Sequence, residues 1–179
     1  MPPDLSNLAT DIPELDAGHP GLLRSRWFPM VITESALLNI VLLTAASHYA
    51  SSRLMPNTKQ CLYSLKHEAI SATNKLLLQN VAMINDQVIG AVAKLASYEA
   101  MFGEREQYHT HMRALVRMVE MRGGLLALGL DGLLMRMVLW IDLNSAFLLG
   151  CPVYFKTTIP LAGHVAIVEP CPSHFLGAS

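Results

Sequence analysis

Seven histidines and three cysteines are the residues of this chain best suited to hold a metal or act as nucleophiles, and their spacing decides what they can do. His109 and His111 are two apart, which on a helix turns them about 200° from one another, whereas chelation from one helix face needs a spacing of four. His48 ends a long apolar run beside Tyr49 and reads as a hydrogen-bonded boundary residue, while His67, next to Glu68, reads as part of a solvated face. Cys61, Cys151 and Cys171 are odd in number and far apart, which argues against a disulfide framework and suits a reducing compartment. No glycine-any-serine-any-glycine string anchors a Ser-His-Asp site. Gly124 and Gly129 have the spacing of a phosphate loop, but Leu130 stands where the lysine is needed, and an amphipathic helix precedes the turn where a dinucleotide site needs a strand. The sequence therefore offers no catalytic residue, no metal-ligand set and no cofactor site.

Five positions remain of interest. Gly123 and Gly124 follow a strongly periodic segment and read as a helix-terminating turn, because glycine enters the left-handed region without a Cβ clash. Asp142 lies among Val138, Leu139, Ile141 and Ala146, so it is expected to be buried and to need a partner. Arg122, at the end of the preceding amphipathic helix, is the expected partner in a buried ion pair, with Arg136 and His111 as rivals. His111 is also the candidate polar residue of an effector pocket.

The elements that must position these residues follow from hydrophobic period. Residues 1–29 contain scattered prolines and read as an irregular arm. A helix capped by Thr33 begins at Glu34 and is apolar nearly all round, through Leu37, Leu38, Ile40, Val41, Leu42 and Leu43. Asn57 and Gln60 resemble a capping box opening a second helix to about Gln79. Asn85 or Asp86 caps a third, which ends at Gly103. The fourth, Glu104 to Arg122, places Tyr108, Met112, Leu115, Val119 and Arg122 on one stripe. A fifth runs from about Asp131 to Leu149. No segment alternates as a strand does, so the fold class is all-α: about five helices in a bundle or irregular orthogonal array spanning residues 30–155, followed by a weakly structured tail over 156–179.

Hydrophobic residues make up 52% of the 179-residue chain and charged residues 15%, against roughly 25% charged in an average soluble domain. That excess implies either a large core or apolar surface intended for a partner. Ten methionines suit core filling, or an adaptable binding surface. The net charge is −1 with no basic block, so the electrostatic footprint of a nucleic-acid-binding face is missing. The N-terminus is acidic and proline-containing, unlike a secretory signal, and points to an intracellular protein. The run Ala36 to Ala46 is shorter than the roughly 18 residues a membrane span requires and contains Asn39. Leu125 to Gly150 is interrupted by Asp131, Arg136 and Asp142, so no membrane association is expected.

The stretch from Tyr108 to Phe155 resembles the fungal-specific transcription factor domain, the helical regulatory region of fungal binuclear zinc-cluster regulators. The resemblance is carried by His111, "MVEMRGG" at Met118 to Gly124, "LWID" at Leu139 to Asp142 and "CPVYF" at Cys151 to Phe155, and the helix from Glu34 to Ser51 also fits. It implies a nuclear, non-enzymatic module that regulates transcription through protein contacts, self-association or effector sensing. The DNA-binding part of such regulators uses six closely spaced cysteines around two zinc ions, which this chain does not have, so it is expected to make no direct nucleic-acid contact. A small-molecule receptor with a pocket between helices, and a truncated product without function, are the alternatives.

Overall fold

The computed structural model describes Ile12, Leu15 and residues 21–53, 58–80, 83–156 and 169–176. The described residues are all-helical. The five long helices expected from periodicity are α2 (Ser35–Arg53), α3 (Lys59–Gln79), α4 (Asp86–Phe102), α5 (Arg105–Met121) and α6 (Leu133–Leu149). Two short ones join them, α1 (Phe28–Thr33), which continues a π-helical turn at Leu23–Trp27, and α7 (Pro172–Phe175).

α4 and α6 form the centre. On α4 every residue from Val88 to Ala100 except Lys94 is buried, and on α6 every residue from Leu133 to Ala146 except Leu139 and Leu143. α5 packs along α4 through Tyr108, Met112, Leu115 and Val119, the stripe legible in the sequence. α2 lies against α3 and α4, burying Ala36, Leu37, Ile40 and Leu43.

Helical structure begins earlier than the irregular arm over 1–29 implies. Leu23, Trp27 and Val31 recur four apart and are all buried. Pro29, which reads as a breaker, sits in the first turn of α1, where a missing N–H is tolerated, and the widened π turn just before it relieves the clash of its ring with a preceding carbonyl. Trp27 lies over α4 at Gly90, where a Cβ would come 2.9 Å from the indole Cζ3. The chain then bends by 106° between Leu23–Thr33 and Ser35–Ser51.

Glu34, not Thr33, caps α2. The Thr33 hydroxyl donates backwards to the Pro29 carbonyl (2.8 Å), whereas the Glu34 carboxylate accepts from the Ala36 N–H (3.2 Å) with its own backbone extended. Asn57 lies outside the described residues, and Thr58 precedes α3 without a side-chain cap. Asn85 caps α4 by accepting from the Val88 N–H at 2.9 Å. Residues 157–168 of the expected tail lie outside the described residues. Residues 171–176 dock on α6: the Cys171 N–H donates to the Asn144 carboxamide (2.8 Å), and Phe175 meets Trp140 edge to face at 5.2 Å.

Candidate functional site

Arg122 and Asp142 do not pair. Asp142, buried on α6, receives the backbone N–H of Tyr154 on both oxygens (3.0 and 2.9 Å) and that of Phe155 on one (2.8 Å). The segment Cys151 to Phe155 is thus folded back onto α6 by a carboxylate that reads main chain. Burial raises the Asp142 pKa, and the Phe155 and Tyr154 N–H groups work against that rise. The expectation of a charged partner failed because backbone N–H groups satisfy a buried carboxylate as well as a guanidinium does.

Around this clasp sit Tyr108, His109 and Tyr154. His109 Nδ1 and the Tyr154 hydroxyl are 2.7 Å apart, tying α5 to the same segment. The Tyr108 hydroxyl lies beside the Cys151 thiol without an aligned hydrogen bond. Burial pushes the Tyr108 phenol and the Cys151 thiol up, and neighbouring Asp142 adds to both shifts. Both groups are held protonated, the opposite of what an activated nucleophile requires. The cluster is built to hold a loop in place.

Arg122 belongs to a second clasp, at the end of α5. Its guanidinium donates to the Ile84 carbonyl (3.0 Å) and to the Asp86 carboxylate (3.3 Å). The same Asp86 oxygen accepts from the Gly129 N–H at 3.3 Å, so one carboxylate joins the start of α4, the end of α5 and the following loop. Gly123 and Gly124 have φ of +103° and +94°. The Gly124 N–H donates to Val119 O (2.8 Å) and the Gly123 N–H to Glu120 O (3.0 Å), a Schellman pair that closes α5. Beyond a 3-10 turn at Leu125–Ala127, three successive residues, Leu130, Asp131 and Gly132, adopt left-handed φ of 58°, 55° and 79°. Arg26 reaches across to hold Asp131 at 2.7 Å.

His111 faces a third polar centre. Glu99, 2% exposed on α4, takes the Lys66 ammonium of α3 at 2.8 Å and also accepts the Glu104 N–H at 2.9 Å, capping the start of α5. Gly103 is what lets that side chain fold back, since a Cβ there would overlap the Glu99 carboxylate. The His111 pKa is lowered, first by burial and then by Lys66, with Glu99 opposing. Arg136, the other rival for Asp142, donates to the Leu15 carbonyl at 2.8 Å.

An open cleft of about 250 Å³ between the α1–α2 junction and α3 is bordered by Glu34, Ser35, Lys75 and Gln79, and includes none of the five positions singled out in the sequence. Among the described residues no three His, Cys, Asp or Glu side chains group as metal ligands, and no single helix is long and apolar enough to cross a membrane. Asp86, Glu99, Lys66 and Tyr154 were not singled out as site residues. Asp86 carried a signal as a helix-capping type at a helix start, and Tyr154 as part of "CPVYF".

Neither curated proteins nor solved structures yield a match to the chain. The family model for the fungal-specific transcription factor domain matches residues 16–164, extending at both ends beyond the span in which the resemblance is legible by eye. The three clasps, the helices they join and the "CPVYF" segment all fall within that match. With most of its length so covered, the chain belongs to the fungal-specific transcription factor domain family.

Proposed function

We propose that this chain is a non-enzymatic regulatory module of a fungal zinc-cluster-type transcription regulator, working in the nucleus through protein contacts and making no DNA contact of its own. Family membership supplies the regulatory context. The observation that carries the mode of action is large apolar side chains left in solvent on α1, α2, α3 and α6: Ile32, Leu42, Tyr63, Leu78 and Phe147 are each between 49% and 77% exposed. The polar groups support the reading from the other side, since Asp142, Glu99 and Arg122 are all committed to holding helices and loops together.

The test is to fuse the full chain to an unrelated DNA-binding domain and measure a reporter in a fungal host, with proximity labelling in the same cells. A reproducible change in reporter output together with enrichment of nuclear proteins is expected. An inert fusion that is folded and nuclear, with no enrichment, would overturn the proposal.

A further inference from the structure

Two side chains of α6, one helical turn apart, hold a short stretch of chain from much later in the sequence. Asn144 is fully buried, and its carboxamide is oriented by its own helix: Nδ2 donates to the Trp140 carbonyl at 2.8 Å, which leaves Oδ1 as a fixed acceptor for main chain passing over it. That acceptor takes the Cys171 N–H, also at 2.8 Å. Four residues on, Phe175 sets its ring edge to face against Trp140, with centroids 5.2 Å apart. Ser173 and His174 between them are exposed, and Phe175 is the one residue of α7 that is buried. A main-chain hydrogen bond for affinity and one aromatic anchor for register is how peptide segments are held on folded domains.

The fit of α7 to this place is incomplete. The Trp140 indole N–H is buried and finds no acceptor among the described residues. A buried donor left without a partner is a cost that a well-placed oxygen removes. Phe175 packs on the indole without supplying that oxygen. A segment that kept the N–H at Asn144 and the ring at Trp140, and also brought a carbonyl or hydroxyl oxygen to the indole, would bind there better. The span matched by the family model ends at residue 164, so it includes this part of α6 and not the segment that lies on it.

We propose that Trp140 and Asn144 form a peptide-binding site on α6, filled in this structure by the chain's own residues 171–176 as a displaceable stand-in, and open to a segment of a partner protein that offers a main-chain N–H and, four residues on, an aromatic ring. This gives the protein-contact reading above a site and a class of partner, and rests on it. A tethered segment competes as if present at roughly millimolar concentration, so the site stays closed to weak peptides and yields to one that also meets the indole N–H.

The test uses the full chain and, as probe, a fluorescein-labelled peptide of residues 169–176, read by fluorescence anisotropy in reducing buffer. Phe175→Ala in the chain removes the ring that sits on Trp140, and Cys171→Pro removes the N–H that Asn144 accepts. Both variants should keep the far-UV circular dichroism of the parent, since neither change falls in a long helix. Both should bind the probe more tightly than the parent by about tenfold or more, because the tethered competitor is weakened. A probe that itself carries Phe175→Ala should bind either variant about tenfold more weakly. Binding should move the NMR signal of the Trp140 indole N–H and leave that of Trp27 in place. Opened variants that bind the probe no better than the parent does, binding that ignores the phenylalanine of the probe, or an unmoved Trp140 signal would each overturn the proposal. An inert reporter fusion with the binding pattern intact would remove the regulatory reading alone, and an active fusion whose opened variants ignore the probe would remove the site alone.

Discussion

Replacing Asp142 by alanine removes the acceptor for two partly buried main-chain donors, the N–H groups of Tyr154 and Phe155. Hydrogen bonds to a charged group contribute about 1.5–3 kcal/mol each, and burying the carboxylate gives part of that back, so a net loss of about 2–4 kcal/mol is expected. Against a total of roughly 5–15 kcal/mol, that is a large fraction. Asp142→Asn keeps one acceptor oxygen and should lose about half as much. Urea unfolding followed by circular dichroism measures both. The pH dependence has a definite sign. The folded pKa lies above the ordinary 3.8, so the native state holds this proton longer than the unfolded state does. The Asp142 contribution to stability is therefore greatest at or below the ordinary value and declines as pH rises through the raised folded value. The advantage of wild type over Asp142→Asn should shrink across that interval, counter to the usual acid unfolding of a paired carboxylate. Asp142→Ala within about 0.5 kcal/mol of wild type would refute the clasp, whereas an advantage that grows with pH would show the Tyr154 and Phe155 N–H groups outweighing burial.

Arg122→Ala and Asp86→Ala should couple by about 0.5–1 kcal/mol in a double-mutant cycle, whereas Arg122→Ala and Asp142→Ala should add within about 0.5 kcal/mol; urea midpoints read both cycles. Gly103→Ala forces the Glu99 carboxylate off the Glu104 N–H and is expected to cost about 1–3 kcal/mol, with a loss of thermal midpoint that shrinks in a Glu99→Gln background. Gly124→Ala meets no atom within 4 Å, but the backbone there has φ of +94° and ψ of 178°, so about 1–3 kcal/mol of strain alone should lower its urea midpoint. Gly150→Ala, at an ordinary left-handed cap, should cost less than Gly124→Ala in the same assay.

Much of the helical framework was legible because buried stripes repeat. Tyr108, Met112, Leu115 and Val119 announce α5, and Asn85 supplies the side chain that α4 needs at its start. The π turn and α1 were hidden because Pro29 reads as a stop, although a proline in a first turn costs no hydrogen bond. The polar clasps were hidden for a different reason. Period gives the face a residue occupies and says nothing of what lies opposite, so Asp142 was correctly placed in the core and wrongly given Arg122. Its true partners are backbone atoms 12 and 13 residues away, and every residue type carries those. Glu99 was equally silent, since only the close approach at Gly103 reveals that its carboxylate turns back along the chain.

The long uncharged run of α2, with no Asp, Glu, Lys or Arg from residue 35 to residue 52, also bears on how the chain is made. Translation finishes α2 before any of α4 exists, and at about 5–20 residues per second the helix waits seconds for the surface that will cover its inner stripe. During that interval Leu37, Ile40 and Leu43 are uncovered on a segment with no charge to keep it apart from its neighbours on the same messenger. Nascent chains halted before Asp86 should therefore be held by chaperones in proportion to dwell time, and release should follow once α4 emerges from the ribosome.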